Sequence, residues 1–129
     1  MDQHMDQDRI DAVLSAFRQS WSLASSTRWR PENPALGHCG VSALVAHDHL
    51  GGEILKTRYE NLWHFYNRID GQRIDFTVEQ FAGAITYDDV PSDRAEAFGD
   101  TNAAQYDHLR TAVAQHLAAA APSSVGGNP

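Results

Sequence analysis

Cysteine occurs once in this 129-residue chain, at Cys39. A single cysteine closes no internal disulfide, which argues against a disulfide-stapled extracellular scaffold. Basic charge is also short: 10 Lys and Arg against 17 Asp and Glu leave a formal net charge of −7. That balance disfavours a nucleic-acid backbone or an anionic membrane as partner. No apolar run approaches the roughly 18–20 residues that span a bilayer. The first residues are acidic and polar and carry no signal-peptide pattern, so a cytoplasmic protein is expected. Cys-x-x-Cys, His-Glu-x-x-His, phosphate-binding glycine loops and dinucleotide fingerprints are all missing, as are internal repeats. His47 and His49 lie two apart on an expected helix and so point to different faces. No metal and no cofactor are therefore expected.

What is present reads as an ordinary soluble domain, 42% hydrophobic and 21% charged. One domain is expected over residues 1–121, ragged at 1–5, with a small polar tail at 122–129 expected to be disordered. Ile10, Val13, Leu14, Phe17 and Trp21 form one stripe of an amphipathic helix running to about Ser20, with Asp6 or Asp8 as its cap. Residues 25–37, holding Pro31 and Pro34, read as loop. A second helix is expected from Cys39 to about Leu50, stopped by Gly51-Gly52. Glu53-Ile54-Leu55 is a short strand candidate. Two alternating runs, 63–69 and 72–77, flank Asp70-Gly71, a strong two-residue hairpin signal because both turn positions need positive φ. A short helix capped by Thr77, with Gln80 three residues on, is expected next. Residues 87–99 read as a polar acidic loop, and a last helix spans about 102–119 on Tyr106, Leu109, Val113, His116 and Leu117. The sum is an α+β domain: the N-terminal and cysteine-bearing helices on a small antiparallel sheet, then a C-terminal helix.

The candidate chemistry lies in three residues. Cys39 opens a helix, where unpaired amides and the helix dipole favour the thiolate, the nucleophilic form. The hairpin register places His64, Tyr66, Arg68, Arg73, Asp75 and Thr77 on one face, with His64 and Asp75 a diagonal pair. Asp75 would then fix the tautomer of His64, and the other imidazole nitrogen would face Cys39. Backbone amides near Cys39, with His38 or a donor from residues 25–37, would complete an oxyanion hole. Taken singly, a lone cysteine before an aliphatic run is a small core hydrophobe and a strand His–Asp pair is structural. Taken together, on these elements, they point to catalysis.

The run Asn33-Pro34-Ala35-Leu36-Gly37-His38-Cys39-Gly40-Val41-Ser42-Ala43-Leu44-Val45, then Gly51-Gly52-Glu53-Ile54-Leu55, His64-Phe65-Tyr66-Asn67-Arg68-Ile69-Asp70-Gly71 and Ile74-Asp75-Phe76-Thr77 resembles the YunG-like family of small bacterial proteins over roughly residues 20–82. The family looks like a minimal member of the papain-like cysteine-enzyme superfamily. By that resemblance Cys39 is the nucleophile, His64 the base and Asp75 the orienter. The position before the cysteine is commonly glutamine in such chains; here it is His38.

The expected function is a small cysteine-dependent hydrolase or acyltransferase. It would cleave or form an amide, ester or thioester through an acyl-enzyme, in a hydrolytic or biosynthetic step. A chain this short has no room for an extended groove, so a small molecule or short peptide is the expected substrate. Trp29 and Trp63 are candidates to wall the cleft, against a role in the core or covering a loop; Tyr66 is a candidate to line it, against simple packing; and Arg68 with Arg73 are candidates to clamp a substrate anion, against solvation or pairing with nearby acids. The acidic segment 87–100 would act as a lid. The competing expectation is a non-catalytic module that holds a ligand near Trp63 and Arg68. Oligomeric state is left open.

Overall fold

The stripe Ile10, Val13, Phe17 and Trp21 is buried along the first helix, α1 (Gln3–Ser20), in a computed structural model that describes residues 3–120, with side chains from residue 7 onward. The helix is already under way at Gln3, so Asp6 and Asp8 lie within it rather than at its cap. The tail expected at 122–129 lies outside the described residues.

The second helix, α2 (Cys39–Leu50), is buried all round over residues 40–46, and the polar residues His47, Asp48 and His49 come in its last turn. A helix of that kind belongs in the middle of a fold. One flank meets α1 and the last helix, α4 (Ala103–Ala120), through Phe17, Val41, Val45, Leu109 and Val113. The other flank meets the sheet through Ala43, Leu44, Ile54 and Phe65. Burying a side chain the size of Leu44 or Phe17 contributes about 2–3 kcal/mol. Gly51, at φ +71, ends the helix, its amide donating to His47 O at 3.0 Å.

Four antiparallel strands follow, in spatial order β3-β2-β1-β4. They are β1 (Glu53–Tyr59), β2 (Leu62–Ile69), β3 (Gln72–Ile74) and β4 (Val90–Pro91). At the Asp70-Gly71 turn both φ values are positive (+53 and +78), and Ile69 pairs Gln72 while Asn67 pairs Ile74, the register the turn dictates. β1 runs four residues past the expected strand. Glu60 at φ +56, with Asn61, closes a second hairpin in which Tyr59 pairs Leu62, and Glu-Asn is a much weaker turn signal than Asp-Gly. β3 is shorter than expected, because Asp75, Phe76 and Thr77 leave the ladder. A 3-10 turn at Val78–Gln80 replaces the expected helix, and Thr77 does not cap it; instead Gln80 Nε2 donates to Thr77 Oγ1 at 3.0 Å.

The segment expected to be an acidic loop holds β4 and a short helix, α3 (Arg94–Phe98), capped by Asp93, whose carboxylate accepts from Glu96 N at 2.9 Å. Just before it, residues 86–89 cross the polar face of the hairpin. Thr57 Oγ1 donates to Thr86 O at 3.1 Å, and Tyr66 Oη donates to Asp89 Oδ1 at 2.9 Å. That face is covered rather than solvated, which is why Thr57, His64 and Tyr66 are buried. No described helix is long and apolar enough to cross a membrane.

Gly52 and Gly71 share nearly the same left-handed φ, +77 and +78, but a Cβ on Gly52 would lie 2.2 Å from Arg68 O while one on Gly71 meets nothing. Gly71→Ala is expected to cost about 1–2 kcal/mol from backbone strain alone. Gly52→Ala adds a backbone clash, for a total of about 2–5 kcal/mol. Urea midpoints of the two variants give the comparison, and equal losses would contradict this packing of the α2–β1 corner.

Candidate active site

Cys39 is the first residue of α2 and is partly exposed at the wall of a cavity of about 710 Å³. His64, Phe65 and Trp63 from β2 line the same cavity, with Tyr59, Phe81 and Asp100. Cysteine and histidine thus open onto one space. Dense protein surrounds the sulfur even though solvent reaches the residue.

The expected thiolate is not what this environment supports. Cys39 Sγ donates to Asp100 Oδ2 at 3.5 Å, and the Gly40 amide donates to the same oxygen at 3.1 Å. Burial first, and the negative charge of Asp100 second, push the Cys39 thiol far above its ordinary range. The helix N-terminus does stabilise an anion, but the anion is the Asp100 carboxylate. These surroundings favour the thiol over the thiolate. Burial also pushes the Asp100 carboxyl upward, opposed by its bonds from Cys39 and Gly40 and by the positive charge of Arg28.

His64 and Asp75 meet as the register implies. His64 Nε2 lies 2.7 Å from Asp75 Oδ2, and both side chains are almost wholly buried, at 4% and 5% exposure. Asp75 also accepts from Tyr87 Oη at 2.7 Å, from Thr77 N at 3.2 Å and from Thr77 Oγ1 at 3.4 Å. Four donors converge on this carboxyl group, which leaves the His64 bond to be donated by the imidazole. Nε2 therefore carries a hydrogen directed at Asp75, and Nδ1 is left to face away from that carboxyl group. Phe81 packs edge-on against the ring at 4.8 Å and Tyr66 stacks on it at 5.9 Å, so the imidazole has little freedom to rotate.

Asp100 is set in place by α3. Arg94 donates to Leu44 O and to His47 Nδ1 on α2 and pairs with Asp48, while Tyr106 of α4 donates to Asp48 Oδ2 at 2.6 Å. Lys56 of β1 pairs with Glu96. Ala97 is fully buried beneath. Gly40 completes the fit: a Cβ there would lie 2.5 Å from Asp100 Oδ2 and 2.9 Å from Ala97 O.

With this geometry in view, comparison with known proteins gives one family. Its model, described as YunG protein, matches residues 9–118. The chain belongs to the YunG family. A relative in Bacillus subtilis (strain 168), bearing the name "Uncharacterized protein YunG", is 55% identical over 108 residues, covering 84% of this chain and 94% of its own. No solved structure matches. The YunG match extends well past residue 82, to α3, Asp100 and most of α4, beyond the residues on which the resemblance was first visible.

The remaining candidates scatter. Trp63 lines the cavity, its ring flanked by Lys56 Nζ at 4.3 Å and the Arg58 guanidinium at 4.6 Å. Trp29 packs on the α1–α2 core instead, away from the cavity. Tyr66 lies behind His64, tied to Asp89. Arg68 pairs with Glu53, and Arg73 with Asp89, so neither clamps an anion in the cavity. Asp100, Tyr59, Phe81 and Arg28 were not singled out from the sequence; only Gly40 beside the cysteine hinted at a close approach.

His38 is fully buried beneath α2 rather than exposed as an oxyanion donor. Its Nε2 pairs with Ser25 Oγ at 2.8 Å, its ring tilts against Trp21, and its Nδ1 has no partner among the described residues. Burial lowers its pKa from 6.5 to about 4. The unfolded chain binds this proton more readily, so the stability of the neutral ring is full above pH 6.5 and is lost as pH falls toward 4. The loss is at most about 3 kcal/mol. His38→Gln, neutral at all pH, is expected to flatten the acid limb of stability between those values in urea titrations; an unchanged limb would contradict the assignment.

Proposed function

We propose that this YunG-family chain is a small cysteine-dependent acyl-transfer enzyme, a minimal relative of the papain-like superfamily, with Cys39 as nucleophile, His64 as base and Asp75 as orienter. The observation that carries the reading is the shared cavity: the thiol and an imidazole locked by Asp75 open onto the same space. Because the surroundings of Cys39 favour the thiol, attack is base-catalysed rather than the work of a standing ion pair. His64 Nδ1 takes the Cys39 proton as Sγ bonds to the carbonyl carbon of an amide, ester or thioester. The Cys39 amide, which makes no hydrogen bond among the described residues, supports the oxyanion. The C–N, C–O or C–S bond then breaks, and the leaving group takes the proton from the imidazolium. Water or an amine attacks the acyl-enzyme, loses its proton to His64 and returns the thiol. The cavity suits a small molecule or short peptide.

The protonated thiol is also the observation that favours a second reading, a ligand-binding module without covalent chemistry. Acylation separates the two. In the folded chain 4-nitrophenyl acetate is expected to acylate Cys39, read by mass spectrometry, and His64→Ala to slow this by about 100-fold. Cys39 untouched in the folded chain but acylated in urea would leave only the binding module.

A further inference from the structure

Asp100 is the group in this cavity that neither fold nor mechanism has so far explained. It is a carboxylate in contact with the nucleophile, where a negative charge opposes both thiol ionisation and build-up of an oxyanion. Both of its hydrogen bonds fall on Oδ2, and among the described residues Oδ1 receives none. It makes no salt bridge with the described lysines and arginines. Arg28 lines the same cavity and its charge is felt at Asp100, but no ion pair joins them. The other acid close by on α3, Glu96, is already held by Lys56 and Ser92. Gly40 and the Arg94 network hold Asp100 where it stands. A carboxylate fixed at the wall of this cavity, with no basic side chain paired to it among the described residues, is suited to receive a cation.

Resting on the acyl-transfer reading above, we infer that the acyl group accepted here is an α-aminoacyl group, whose free ammonium binds Asp100 while its carbonyl meets Cys39. The distance selects the class. Asp100 Oδ2 is 3.5 Å from the sulfur, so a cation bound there sits one or two bonds from the carbonyl under attack. An α-ammonium meets that requirement and a distant side-chain amine does not. Tyr59, Leu62, Trp63 and Phe81 provide an apolar wall for the aminoacyl side chain, with the Tyr59 and Phe81 rings 4.5 Å apart. The arrangement also gives Asp100 a use in the reaction. An ammonium neutralises the charge that, after burial, favours the protonated thiol, and it competes for the oxygen to which the thiol donates. The correct substrate thereby frees the nucleophile, and acyl groups without the amine react more slowly.

The test uses the full chain and two affinity labels, phenylalanyl chloromethyl ketone with a free amine and its N-acetyl derivative. In each, Sγ bonds to the methylene carbon, chloride leaves, and the thiol proton passes to His64. Mass spectrometry reads labelling of Cys39, with iodoacetamide as a measure of bare thiol reactivity. The free-amine label is expected to react at least about tenfold faster than the acetylated one, with saturation. Asp100→Asn is expected to bring that ratio close to one while iodoacetamide reacts faster than with the natural chain. Equal rates for the two ketones in the natural chain would overturn the aminoacyl inference and leave the cysteine mechanism standing. Failure of all three reagents on the folded chain, with reaction in urea, would overturn the mechanism itself. The ratio in the natural chain decides the matter even if the variant does not fold.

Discussion

The contact between the Asp100 carboxylate and the N-terminal end of α2 organises this protein. It adds to burial in favouring the protonated sulfur, it joins α3 and its flanking segment to the central helix, and it requires glycine at position 40. The sheet carries a second carboxyl group, Asp75, which sets the tautomer of His64. Asp75 accepts from the His64 imidazole and Asp100 accepts from the Cys39 thiol, so each of these two cavity side chains is held by its own carboxyl group.

The polar face of the hairpin follows the same economy. Thr57, His64 and Tyr66 would be costly to bury alone. Residues 86–89 cover them and supply a partner to each hydroxyl, while Tyr87 adds a donor to Asp75. The cover leaves the His64 end of the strand open to the cavity. Packing on one side and access on the other come from one strand.

How much of this was legible in the sequence depended on how local the cause was. The α2 boundaries and the Asp70-Gly71 register were readable because short-range rules set them: an apolar run ended by Gly51, and a turn needing two positive φ angles. The His64–Asp75 pair followed from that register. α3 was missed because its five residues carry too little periodicity, although Asp93 and Glu96 stand at capping-box spacing. The extension of β1 was missed because Glu60-Asn61 is an unremarkable turn sequence. Asp100 was beyond reach for a different reason. Its contact with Cys39 spans 61 residues and exists only once α3 has docked, so nothing near the cysteine announces that its helix N-terminus is already occupied. Helix-end reasoning about thiolates is sound only where the amides are free, and here a carboxylate claims the Gly40 amide.

The central claim is that burial and the Asp100 carboxylate together keep Cys39 a neutral thiol. Ultraviolet absorbance of the thiolate, followed against pH in the folded chain and in Asp100→Asn, tests it most directly. The account predicts no thiolate in the natural chain near neutrality, with ionisation well above the ~8.5 of a free cysteine, and a lower midpoint once the carboxylate is removed. A thiolate already present at neutral pH, or a midpoint indifferent to Asp100, would contradict it.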